Sequence, residues 1–222
     1  MSYPIVFACD EFYVVNKPHD VSFHSEDGEG FFVLFEKQVN EKLYPVHRLD
    51  KMTSGLVIVA RTKQAAAEFG DLFSQKHKNK LEKYYLAVAQ GKPTKKQGWV
   101  KGDLVKARRG CYKLQKTMKN PSITRFQSQL IEPSLRLYLL QPITGKTHQL
   151  RVVLKSLSVP ILGDERYGGE HSERGHLHAY AIKFTFGNTP YHFSVKPCGG
   201  LFEHCETKKL IEQWHTPWHE FN

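Results

Sequence analysis

Between residues 83 and 141 the chain is a succession of short strand-like runs, each closed by turn residues. "KYYLAVAQG" (83–91) stops at Gly91 and Pro93. "GWVKGDLV" (98–105), "CYKLQK" (111–116), "SITRFQSQLI" (122–131) and "LRLYLLQ" (135–141) follow, divided at Gly110, Asn120-Pro121 and Pro133-Ser134. Strands joined by connections this short pair antiparallel, because a parallel crossover needs about a dozen residues or more. Regular strand–helix alternation is missing, so a doubly wound parallel sheet is excluded. The fold class expected is α+β: a mixed, mainly antiparallel sheet with flanking helices.

The remaining segments agree. "IVFACDEFYVVN" (5–16) predicts two short strands around a turn at Asp10–Glu11, and Lys17-Pro18 ends the second. "SEDGEG" (25–30) reads as a loop and "FFVLFEKQV" (31–39) as a short helix. "GLVIVAR" (55–61) is a continuous apolar run of the kind buried on both faces. In "TKQAAAEFGDLFSQKHKNK" (62–80), Ala66, Phe69, Leu72 and Phe73 recur at helical spacing, and the basic end suits the helix's negative pole. "TGKTHQLRVVLKSL" (144–157) reads as a helix with Leu150, Val153, Leu154 and Leu157 on one side and Thr144, Gly145 and Thr147 at its start. "HLHAYAIKFTF" and "YHFSVKP" return to strand, and "ETKKLIEQWH" closes as a helix.

The chain has 222 residues, no internal repeat and no long linker, so a single domain spanning 1–222 is expected. Its net charge of +10 favours a polyanionic partner, most often nucleic acid. No apolar stretch reaches the roughly 18 residues of a membrane span. The N-terminus lacks the pattern of a signal peptide. Cys9, Cys111, Cys198 and Cys205 have no framework spacing, which fits free thiols in the cytoplasm. Cys198 and Cys205, even with His204, match no common zinc knuckle.

Four stretches can carry chemistry: "HRLDKMTSGL" (47–56), "YYLAVAQG" (84–91), "PITGKTHQLR" (142–151) and "VPILGDERYGG" (159–169). Each has a plain reading. Asp50 can pair with Arg48 at the surface, where such pairs contribute little. Tyr84 and Tyr85 can be cross-strand packing, Arg151 can sit on a wet helix face, and the glycines can serve tight turns. Taken together and in this order, the four resemble the RluA-type branch of the pseudouridine synthase family. The likeness runs from "VVNKP" (14–18) to "LHA" (177–179). The "HRLDxxTSGL" string is its most specific part, with two free positions in ten.

The resemblance implies a pseudouridine synthase catalytic fold with a central active-site cleft. The implied reaction detaches a uridine in RNA from its ribose at N1, rotates it and rejoins it through C5, with no cofactor and no metal. It implies Asp50 as the catalytic aspartate, Tyr85 as the active-site tyrosine and Arg151 as the partner arginine. Arg48 corresponds to the arginine that enters the RNA helix where the target base leaves. Asp50 must be ionised whether it attacks the sugar, attacks the base or deprotonates C2′. Burial alone would disfavour that state, and a nearby guanidinium would restore it. Tyr85 offers a ring to stack on uracil and a hydroxyl that, through a relay, can take the C5 proton. Leu150 can wall the base pocket, whereas Ile161 reads as core.

A stacked base must leave its helix to react, at a cost of a few kcal/mol. Lysine and arginine contacts to phosphate offset that cost. Candidates are Lys51, Arg61, Lys63, Lys76, Lys78, Lys80, Arg108, Arg109, Lys146 and Lys155, with "KARRG" (106–110) the preferred patch. The partner expected is tRNA or rRNA, without a membrane, and the enzyme is expected to be monomeric. The chain departs from the family pattern in three places. Lys146 stands where arginine is usual, "VVL" follows Arg151 where a histidine is usual, and no separate N-terminal RNA-binding module is expected ahead of residue 12. Two other functions fit single features: a non-catalytic RNA-binding protein, from the charge, and a sugar hydrolase using Asp50 with Asp164 or Glu165. Asp164 reads instead as a turn residue whose carboxylate accepts backbone N–H groups.

Overall fold

The structure is a computed structural model that describes residues 2–24, 28–74 and 81–221. Two compact units are formed, one from residues 1–82 with 179–197, the other from 83–178 with 198–222. Among the described residues no helix is long and apolar enough to cross a membrane. Lys76, Lys78 and Lys80, and the first part of the "SEDGEG" loop, lie outside the described residues.

The first unit is built on β1 (Ile5–Ala8), β2 (Phe12–Lys17), β3 (Tyr44–Pro45) and β4 (Ser54–Ala60). β10 (Leu177–Phe186) joins it from Ala179 onward, with β11 (Thr189–Ser194). β2 pairs antiparallel with β1 and β4, β3 pairs with β4, and β10 with β11. All seven residues of β4 are buried, as an apolar run without alternation requires. The helix α1 (Phe31–Val39) matches its expected bounds and stacks Phe31 on Phe35 at 5.9 Å, one turn apart. The helix α2 (Lys63–Phe73) opens on Thr62, whose hydroxyl accepts the Ala65 N–H at 3.0 Å. Its Ala65, Phe69 and Leu72 close over Phe12, Val14, Leu56 and Ile58 of the sheet.

The second unit holds β5 (Leu81–Gln90) from Lys83 onward, β6 (Gln97–Lys106), β7 (Tyr112–Gln115), β8 (Pro121–Glu132) and β9 (Leu135–Pro142). Their order is β5-β9-β8-β6-β7, antiparallel throughout. The helix α3 (Gln149–Ser156) follows β9, and α4 (Cys205–Gln213) lies near the end of the chain. α3 is shorter than the sequence indicates, because residues 144–148 are not helical. His148 stands in the left-handed region at φ 55°, so the helix cannot extend backwards through it. The Gln149 side chain accepts from the Thr144 hydroxyl (2.7 Å) and the Lys146 N–H (3.0 Å), and donates to the Ile123 carbonyl (3.1 Å) and Thr124 hydroxyl (2.9 Å). These bonds tie residues 144–149 to β8 as an ordered loop.

Candidate active site

Asp50 lies in the first unit, in the connection from β3 to β4. Its carbonyl accepts the Thr53 N–H at 3.0 Å, closing a tight turn. Leu49, Thr53 and Ser54 around it are buried, Asp50 is half-buried, and Arg48 and Lys51 are exposed. The connection is fixed from two sides. The His47 Nε2 accepts the Ile58 N–H at 2.8 Å, and its ring stacks 4.4 Å from Phe73. That acceptor role requires the proton on Nδ1 in the neutral ring. Gly55 fixes the other side: at φ +109° it takes a conformation L side chains avoid, and a Cβ there would run into the Ala179 carbonyl. The glycine of "TSGL" is therefore a packing requirement of β4.

Lys17, which no sequence motif marks for a role, stands opposite Gly55 across the β2–β4 pair. It is fully buried, and its ammonium donates to the carbonyls of Pro18 (2.8 Å), Val21 (2.8 Å) and Lys51 (3.4 Å). Burial pushes its pKa down to about 7, with Asp20 and Asp50 opposing that fall. The signal was present in "NKP": a lysine ending a strand that is otherwise buried. Arg61, by contrast, is withdrawn from the RNA-contact candidates. It makes a two-pronged pair with Glu41 (2.9 Å at each nitrogen), donates to the Cys9 carbonyl at 2.6 Å and covers the Tyr13 ring at 4.9 Å.

Tyr85, Leu150 and Arg151 lie in the second unit. On β5, Tyr84 points into the core and its hydroxyl accepts from Gln141 at 3.1 Å. Alternation therefore sends half-buried Tyr85 to the other face, opposite Leu140. Lys83 shares the Tyr85 face, and its pKa is pushed down to about 8 by burial. Leu150 and Ile161 are both buried. Arg151 is buried in α3 and grips Asp164 with two parallel bonds, Nε to Oδ2 at 2.7 Å and Nη2 to Oδ1 at 2.6 Å. The Asp164 carboxylate thus binds a guanidinium, not the backbone N–H groups expected of it. The turn itself closes through the Asp164 carbonyl, which accepts from Tyr167 (3.0 Å) and Gly169 (2.9 Å).

Of the outer candidates, Arg108 and Arg109 are exposed on a single 3-10 turn, where Arg109 is left-handed at φ 54°. The Lys146 ammonium is engaged by the Asn120 carbonyl (2.7 Å) and side-chain oxygen (2.6 Å). An open groove of about 600 Å³ passes between β7 and α3, lined by Lys113, Lys155, Arg166 and Tyr167 among others.

The sequence profile described as RNA pseudouridylate synthase matches residues 11–156. An uncharacterized RNA pseudouridine synthase of Haemophilus influenzae is 47% identical over 206 residues, which is 91% of either chain. A ribosomal large subunit pseudouridine synthase C of Rickettsia bellii is 39% identical over 64% of this chain and 50% of its own length. A tRNA pseudouridine synthase C of Haemophilus ducreyi is 28% identical over 85% of this chain and 88% of its own. In fold, the chain is similar to human RNA pseudouridylate synthase domain containing 1, with a TM-score of 0.77 and 22% identity, covering 97% of this chain and 95% of that one.

Proposed function

Because the chain belongs to the RNA pseudouridylate synthase family, we propose that Asp50, Tyr85 and Arg151 carry its conversion of uridine in RNA to pseudouridine. Asp50 is the reacting carboxylate, Tyr85 stacks on the uracil and serves the C5 proton, and Arg151 supplies the cation of the set. The N1–C1′ bond breaks, the base turns, and C5 bonds to C1′. The C5 proton is then lost and N1 gains one, so no redox partner is consumed. The substrate is tRNA or rRNA, since relatives named for each are similar to this chain. The target base leaves its stack to react, with Leu150 as an apolar wall and Arg48 facing the RNA where the base leaves. Lys51, Arg108, Arg109 and, through its Asn120-held ammonium, Lys146 are the phosphate contacts. A monomeric enzyme in the cytoplasm completes the reading. Cys9, Cys111, Cys198 and Cys205, free thiols in the structure, support a reducing compartment.

The observation that carries this proposal is the presentation of Asp50. A ten-residue family string delivers it on a turn pinned by His47, Gly55 and Lys17, half-buried beside two exposed cations. The test is release of the C5 hydrogen from labelled uridine in cellular RNA. Asp50→Asn removes the charge and keeps the shape, so release is expected to stop while RNA binding persists. Absence of release by the wild-type protein from every cellular RNA and transcript tried would sink the proposal.

A further inference from the structure

The "GDERYG" segment is absorbed by none of the roles above, yet it surrounds Arg151. We propose that Asp164 and Tyr167 are positioning residues that fix the direction of the Arg151 guanidinium, an inference that rests on the role given to Arg151. Asp164 takes the Nε–Nη2 edge with both oxygens, and the two side chains are 8% and 1% exposed. Such a fork fixes the guanidinium plane, which a single-point contact would not do. The Arg151 Cζ stands over the Tyr167 ring, 4.9 Å from its centroid. With the fork on one edge and the Tyr167 ring beside it, turning of the guanidinium is restrained, and the Nη1 end is directed away from Asp164.

The two positioning groups are themselves held. The Tyr167 hydroxyl meets His148 Nδ1 at 2.8 Å and accepts the Tyr112 N–H at 3.0 Å. His148 immediately precedes the helix that carries Arg151. The backbone around Asp164 is closely packed: a Cβ on Gly169 would meet the Ile161 carbonyl. Arg151 on its helix and Asp164 on its turn are thus brought to register by backbone as well as by charge. A carboxylate needed only for folding would be served by any cation, whereas a fork backed by a ring sets an angle.

The experiment compares single-turnover rate, RNA affinity and thermal unfolding for Asp164→Glu, Tyr167→Phe, Tyr167→Leu and Arg151→Lys, at a temperature where each is folded. Asp164→Glu keeps the charge and displaces it by one methylene. Displacements of about 1 Å cost about 10²-fold in rate, so a loss of that order is expected with RNA affinity unchanged. Tyr167→Phe keeps the ring and should retain most of the rate, while Tyr167→Leu should lose it. An unchanged rate in both Asp164→Glu and Tyr167→Leu, with only the unfolding temperature lowered, overturns the proposal. An Arg151→Lys variant at full rate would instead remove the role of Arg151 on which it rests. Should Asp164→Glu fail to fold, the contrast between the two Tyr167 variants decides the matter alone.

Discussion

Lys17 shows how one buried residue couples charge to the candidate catalytic loop. Its ammonium is enclosed by three carbonyls, one of them that of Lys51, next to Asp50. In the unfolded chain a lysine titrates near 10.4, but in the fold Lys17 titrates at about 7. Between those values the unfolded state binds more protons, so stability rises with pH. Below about 7 the residue is charged in both states and the full desolvation penalty is present. Wild-type stability is therefore expected to gain up to about 1.4 kcal/mol per pH unit above neutrality from this residue. Lys17→Met should lack that slope, as urea unfolding at a series of pH values from neutral upward would measure. A slope shared equally by both proteins would show that Lys17 stays charged throughout. At this scale the sequence singles out residues that sit in a family string, as at Asp50, Tyr85 and Arg151, whose roles are proposed above. It was silent where a role comes from enclosure, as at Lys17, or from a partner far along the chain, as between Arg151 and Asp164.

Elements were readable wherever their cause is local. The bounds of α1 follow from its own apolar spacing, and the burial of β4 follows from its unbroken Val/Ile run. α3 starts later than its apolar spacing predicts, because the cause of its start is not local. Gln149 spends its side chain on β8, and His148 turns left-handed to meet Tyr167. Neither fact is visible in the spacing of Leu150, Val153 and Leu154. The same contrast separates two glycine roles: turn glycines are guessed from their neighbours, whereas Gly55 is dictated by a strand more than a hundred residues later. Gly55→Ala is thus expected to cost several kcal/mol, combining backbone strain with a forced shift against β10. Thr62→Ala, which removes only the α2 cap, should cost about 1 kcal/mol. Thermal unfolding of the two variants side by side checks the order; a Gly55→Ala protein as stable as the Thr62→Ala one would contradict the steric reading.

At the scale of the whole molecule, the net charge of +10 says that a polyanion is favoured but not which cations meet it. The structure divides them. Arg61 is spent on Glu41 and the Cys9 carbonyl, whereas Arg108 and Arg109 stand exposed on one turn, and Lys113, Lys155 and Arg166 line a groove in the same unit. Each phosphate contact made to RNA releases condensed counterions, so the logarithm of affinity falls against the logarithm of salt with a slope near −0.7 to −0.9 per contact. Replacing Arg108 and Arg109 together by alanine should therefore flatten that slope by about 1–2 and weaken binding to unrelated RNAs alike. Arg61→Ala should leave the slope as it is and lower stability, because it strips Glu41 of its cationic partner and Tyr13 of its cover. Binding isotherms at four or five salt concentrations separate the two variants. A slope that moves with Arg61 and not with Arg108 and Arg109 would place the RNA on the other unit and require a different set of phosphate contacts.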